Sequence, residues 1–68
     1  MSSIAQQILT MFERDKDITI TIKTAKGLEF TGKIIMLDNR SVGIEQDNGQ
    51  NDLLFIRHIL EVTEAISA

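Results

Sequence analysis

Ile18, Ile20 and Ile22 alternate with Thr19, Thr21 and Lys23. A period of two puts the isoleucines on one face of a strand and the polar residues on the other. Both Ile and Thr favour strands, because a branched Cβ suits a pleated surface. Lys26-Gly27 then reads as a tight turn, with the glycine free to take positive φ. A second strand follows over residues 28–37, and Gly32 inside it marks a bend, a bulge or a close backbone approach. Asp38, Asn39, Arg40 and Ser41 are turn residues, after which residues 42–46 resume a short strand. Three strands on short connections predict a strongly bent antiparallel meander.

The pattern changes before and after this stretch. Ile4, Ala5, Ile8, Leu9, Met11 and Phe12 recur at helical spacing, with Gln6, Gln7, Thr10, Glu13 and Arg14 opposite them. This predicts an amphipathic helix over about residues 4–14. Ser3 is its expected N-cap, with Gln6 at the third helical position completing a capping box. Residues 14–17 read as a solvated linker of mixed charge. Asp47-Asn48-Gly49-Gln50-Asn51-Asp52 reads as a hairpin turn. A fourth strand is expected over residues 53–56, a corner at Arg57-His58-Ile59 and a fifth strand over residues 60–63. The expected fold is mainly β: one domain, residues 1–68, in which a small five-stranded antiparallel barrel is closed at one end by an N-terminal α-helix, its strands lying within about residues 18–64.

The spacing of Ile20, Ile22, Gly27, Phe30, Gly32, Ile34, Leu37-Asp38 and Ile44 resembles the first sequence motif of the Sm/Lsm family. Phe55-Ile56-Arg57-His58-Ile59 resembles the second motif. Eukaryotic and archaeal members carry Ile-Arg-Gly there, and the bacterial branch, the Hfq RNA chaperones, carries Tyr-Lys-His. Ile56-Arg57-His58 stands between the two, and its histidine points to the bacterial branch. The resemblance implies an SH3-type barrel. It also implies a homo-oligomeric ring of about five to seven subunits, formed when the fourth strand of one subunit pairs with the fifth of the next and the rotation closes. The implied ligand is short single-stranded RNA, preferably U-rich, held at the pore.

Composition tempers this picture. Sixty-eight residues bury only about 60% of the surface an unfolded chain exposes, so a chain this short usually needs a staple. There is no cysteine and a single histidine, which leaves no disulfide and no thiolate metal site. Oligomerisation is the remaining route. Absence of cysteine fits a reducing cytoplasm. No apolar run approaches the roughly 20 residues that span a bilayer, and no signal peptide is evident. The net charge of −3 argues against strong non-specific binding of nucleic acid, so any RNA affinity is expected to be weak and local.

Nothing here suggests catalysis or a cofactor. No Ser-His-Asp arrangement and no phosphate-loop glycine pattern occurs, and the acidic residues of the 47–52 loop lack calcium-ligand spacing. The expected RNA-binding residues are Gln6, Asn39, Arg40, Arg57 and His58. By resemblance, Asn39 falls where Hfq has a base-bonding Gln, and Arg40 falls where it has a stacking Phe. A guanidinium plane can also stack on a base. Arg57 and His58 fall on the basic pair of the second motif, and Gln6 falls on the helix Gln of the uridine pocket. Each has a structural alternative. Gln6 completes a cap, Asn39 and Arg40 are turn residues, Arg57 pairs with Asp38, and His58 is a hydrogen-bonded corner residue. Val42 replaces the base-reading Asn of eukaryotic Sm proteins. Lys23, Glu29 and Thr31 replace the Tyr, Lys and Gln with which Hfq holds purines, so A-rich RNA is not an expected ligand. The alternative function is a ring-forming structural or protein-binding module without RNA affinity.

Overall fold

The computed structural model describes residues 3–65, so the outermost ends of the expected 1–68 domain lie outside the described residues. In chain order the elements are α1 (Ile4–Arg14), β1 (Thr19–Thr24), β2 (Glu29–Leu37), β3 (Ser41–Glu45), β4 (Asn51–Phe55), a 3-10 turn (Ile56–His58) and β5 (Ile59–Glu64). The five strands form one antiparallel sheet in the order β4-β3-β2-β1-β5. The sheet does not close: β4 and β5 are its two edges, with no pairing between them. No helix among the described residues is long and apolar enough to cross a membrane.

The Ser3 hydroxyl accepts from the Gln6 N–H at 3.1 Å and caps α1. The reciprocal half of the expected capping box is missing, because the Gln6 amide instead donates to the Thr10 hydroxyl one turn on. Asp15 ends the helix, and its carboxylate accepts from the Asp17 N–H. Lys16 folds back over the Phe12 ring, 4.4 Å from its centroid.

Both hairpin turns share one construction. In the first, the Thr24 N–H bonds the Leu28 carbonyl, the Gly27 N–H bonds the Thr24 carbonyl, and Gly27 takes φ 86°. In the second, Gln46, Gly49 and Gln50 repeat these bonds, with Gly49 at φ 87°. Each glycine therefore supplies the single left-handed residue that follows a type I turn in a bulged hairpin. The second turn is shorter than the 47–52 span expected, because Asn51 and Asp52 already pair with β3. At the other end of β4 the expected strand loses Ile56 to the 3-10 turn, and β5 gains Ile59.

The core consists of Ile8, Ile18, Ile20, Ile22, Ile34, Val42, Ile44, Ile59 and Val62. Every one is β-branched. Such side chains lose little rotamer freedom on burial, which helps a core this small. Around them pack Ile4, Met11 and Phe12 from α1, with Phe30, Leu37, Leu54 and Ile56.

Gly32 is where β2 bends. A Cβ there would collide with the Glu45 carbonyl oxygen and lie 2.8 Å from its carbon. Three residues later the β2–β3 register slips at Ile35. Before the slip, Phe30, Gly32 and Ile34 face inward. After it, Leu37 does, and Ile35 and Met36 are left exposed. A bulge of this kind bends the strand and increases its twist.

Gly32→Ala should destabilise the fold by about 1–3 kcal/mol, because the neighbour that must move is backbone and not a flexible side chain. A lower urea midpoint at unchanged slope would show this. An unchanged midpoint would mean that the close approach does not constrain the sheet.

Candidate nucleic-acid interface

The β2–β3 turn is built by Asp38. One of its carboxylate oxygens accepts from the Arg40 N–H at 2.7 Å and the Ser41 N–H at 2.8 Å, and the buried Ser41 hydroxyl donates to the same group. The Asp38 N–H in turn bonds the Ser41 carbonyl. With its polar backbone satisfied internally, the turn leaves the side chains of Asn39 and Arg40 exposed.

A second tie brings the next segment alongside. The Ile56 N–H donates to the Arg40 carbonyl at 2.8 Å. The 3-10 turn therefore starts directly against the β2–β3 turn, and Arg40 and Arg57 border the same depression. That depression, about 430 Å³, is lined by Asn39, Arg40, Phe55, Ile56 and Arg57. A neighbouring one of about 340 Å³ is lined by Ser3, Ala5, Gln6, Leu9, Leu37, Asp38 and Asn39. Asn39 is common to both. Leu9 and Leu37 give the second depression an apolar floor, and Gln6 and Asn39 place two amides at its rim.

The structure thus gathers four of the five expected site residues around Asn39. His58 stands apart. It lines a different, largely apolar pocket with Thr24, Ala25, Lys26, Leu28, Leu53, Leu54 and Phe55. Its link to the rest is Arg57, whose Nε donates to His58 Nε2 at 3.4 Å. The expected structural pairing of Arg57 with Asp38 does not form. Asp38 is occupied by its own turn, and Arg57 lies over the Phe55 ring, 5.2 Å from its centroid. The His58 ring meets the same phenyl edge-on at 6.0 Å.

Phe55 is the residue that sequence reasoning missed. It is 46% exposed and is the only aromatic lining the depression between the two arginines. Leu53-Leu54-Phe55-Ile56 is an unbroken apolar run, and such a run hides which face each residue takes. The signal was the polar pair Asn51-Asp52. Carried forward at a period of two, it puts Leu54 with Asp52 and Phe55 with Asn51.

Electrostatically the site is cationic on a net-acidic chain. Arg40 and Arg57 border it, and the carboxylate of Asp38 is already bonded to four N–H and O–H contacts. Comparison of the chain with protein-family models and with curated proteins finds no match.

The N–H of Arg40, and after it the N–H of Ser41, hold the Asp38 carboxyl below its ordinary value. Partial burial opposes them, and the Ser41 hydroxyl and the Arg40 charge add to the lowering. A carboxyl lowered in the folded state stabilises fully above its unfolded-state pKa near 4, and that stabilisation is lost as pH falls through the folded value. Asp38→Asn keeps an acceptor oxygen but removes the charge. The variant should be less stable than wild type at neutral pH and should lose less stability below about pH 4. Urea midpoints measured across that range test this, and parallel profiles would remove Asp38 from the acid response.

Proposed function

We propose that the chain is an Sm-like, Hfq-related subunit of a homo-oligomeric ring that binds short single-stranded RNA, preferably U-rich, through the surface around Asn39. The curved sheet is read as the family's barrel, the working compartment as the cytoplasm, and no catalytic step is assigned to it. The observation that carries the reading is the meeting of two depressions at Asn39, one with paired amides over an apolar floor and one bordered by two arginines.

The chemistry suits uracil. Its pairing edge presents an acceptor, a donor and an acceptor, and the side-chain amides of Gln6 and Asn39 can each offer both a donor and an acceptor. The apolar floor at Leu9 and Leu37 offers a surface for the base. The adjoining arginines can hold the phosphate that joins one nucleotide to the next, by charge-assisted bonds. Phe55 and Arg57 offer planar groups for a second base. Ring symmetry would repeat each contact, so modest contacts would accumulate along one strand.

The second reading, a ring module that binds protein and not RNA, is favoured by one observation. On the opposite sheet face Lys23 lies in register between Glu29 and Glu61, leaving that surface with more acid than base.

Labelled oligo-U and oligo-A, titrated with the purified oligomer over a salt series, separate the two. Oligo-U should bind more tightly, with a shallow salt dependence, since each phosphate contact contributes a slope of about −0.7 for a single strand. Arg57→Ala and Asn39→Ala should each weaken oligo-U binding about tenfold when the loss of about 1 kcal/mol per contact is repeated around the ring. His58→Ala should weaken it less, acting through Arg57, and Lys23→Ala should leave it unchanged. Loss on Lys23→Ala with Arg57→Ala intact would move the site to the other face. No binding by the wild-type oligomer would leave the protein-binding module.

A further inference from the structure

The exposed apolar side chains gather at the two open edges of the sheet. On the β4 side, Leu28, Leu53 and Phe55 are 55%, 58% and 46% exposed, and with Leu54 they line a pocket of about 200 Å³ beside the β1–β2 turn. On the β5 side stands Leu60, 69% exposed. Lys23 pairs with Glu61 and Thr24 with Ile59, so Leu60 is the extra residue of a bulge. A bulge aims its side chain away from the regular ladder.

We infer that Leu60 of one copy of this chain seats in the pocket formed by Leu28, Leu53, Leu54 and Phe55 of the next copy. Three observations select a second copy as the occupant. First, the backbone is prepared on both sides. Ile56 bonds inward to Arg40, so by antiparallel alternation the N–H and C=O groups of Leu53 and Phe55 face the open edge of β4. Ala65 bonds inward to Thr19, so those of Val62 and Glu64 face the open edge of β5. Second, the charges complement each other. Lys26 and His58 stand at the pocket and no carboxylate lines it. Glu61 and Glu64 flank Leu60, and no cation lies between residues 59 and 65. Third, the levels match: the Leu60 bulge lies opposite Thr24, and Thr24 itself lines the pocket.

Projection and pocket are different surfaces, so each copy offers one of each and the contact is head-to-tail. Such contacts give a ring when the rotation closes. The inference rests on the ring reading and adds the side chains that seal the joint. It also gives the pocket beside His58 an occupant that is protein, separate from the RNA surface around Asn39.

Sedimentation velocity across a concentration series tests it, with circular dichroism confirming that each variant folds. Leu60→Asp should raise the concentration at which the oligomer dissociates by at least tenfold, since a carboxylate would enter an apolar pocket. Lys26→Glu and Glu61→Lys should each weaken assembly, and the double variant should restore it. Phe55→Pro tests the strand edge separately. Its N–H faces away from β3 and its φ is −81°, so proline fits the isolated subunit but removes a donor from any ladder between copies. If Phe55→Pro dissociates the oligomer while Leu60→Asp leaves it intact, the seating of Leu60 is overturned and the ring reading stands. A wild-type chain that is monomeric at tens of micromolar overturns both.

Discussion

The approach of the Gly32 backbone to the Glu45 carbonyl is the constraint on which the remaining geometry depends. A side chain at residue 32 would hold β2 off the end of β3. Without one, β2 can bend there, and the register slip at Ile35 continues the curvature. The curvature allows nine β-branched residues from four strands, one helix and one linker to meet in a single core. It also brings the β2–β3 turn and the 3-10 turn together, because the Arg40 carbonyl arrives within bonding distance of the Ile56 N–H. A flat sheet of the same strands would bury less apolar surface and would scatter the residues around Asn39.

That dependence explains the division of labour along the chain. The alternating residues of β1 and the first half of β2 serve the core with one face and present threonine and charge with the other, where Thr21 and Thr31 share a hydroxyl hydrogen bond. Past the bulge the pattern inverts, and apolar side chains appear on the outer surface at Ile35, Met36, Leu53 and Phe55. The Met36–Gly43 and Gly43–Leu53 pairings put Met36 and Leu53 in one row across β2, β3 and β4. Gly43 between them carries no side chain, so the row is shallow at its centre. One end of the sheet is therefore finished for water, and the other remains apolar.

The elements were legible in the sequence wherever a period was strict. Ile18, Ile20 and Ile22 announced β1, the helical spacing from Ile4 to Phe12 announced α1, and Gly27 and Gly49 sit at the positive φ their turns require. Asp38 was legible as the organiser of its own turn. Barrel closure was not, since the β4 and β5 edges stay apart, and strand propensity carries no information about whether two edges meet. The boundaries around Ile56 and Ile59 were also missed. An apolar run reads alike as strand or as tight turn, and the bond from Ile56 to Arg40 that decides between them comes from a residue far away in sequence.

The site was legible in kind but not in arrangement. Gln6, Asn39, Arg40 and Arg57 were chosen for what amides and guanidinium groups can bind, and the fold does bring them around Asn39. The partners were unreadable, because each depends on which side of a short turn a long side chain leaves. Arg57 was free to reach either Asp38 or His58. Asp38 had already committed its oxygens to Arg40 and Ser41, bonds made within its own turn at little entropic cost. Arg57 was thereby left to Phe55 and His58, where its charge has no carboxylate to cancel it. A turn that satisfies its own aspartate thus leaves an uncompensated arginine on an acidic chain, and that is the physical reason the surface around Asn39, more than any other part of this protein, is suited to an anionic strand.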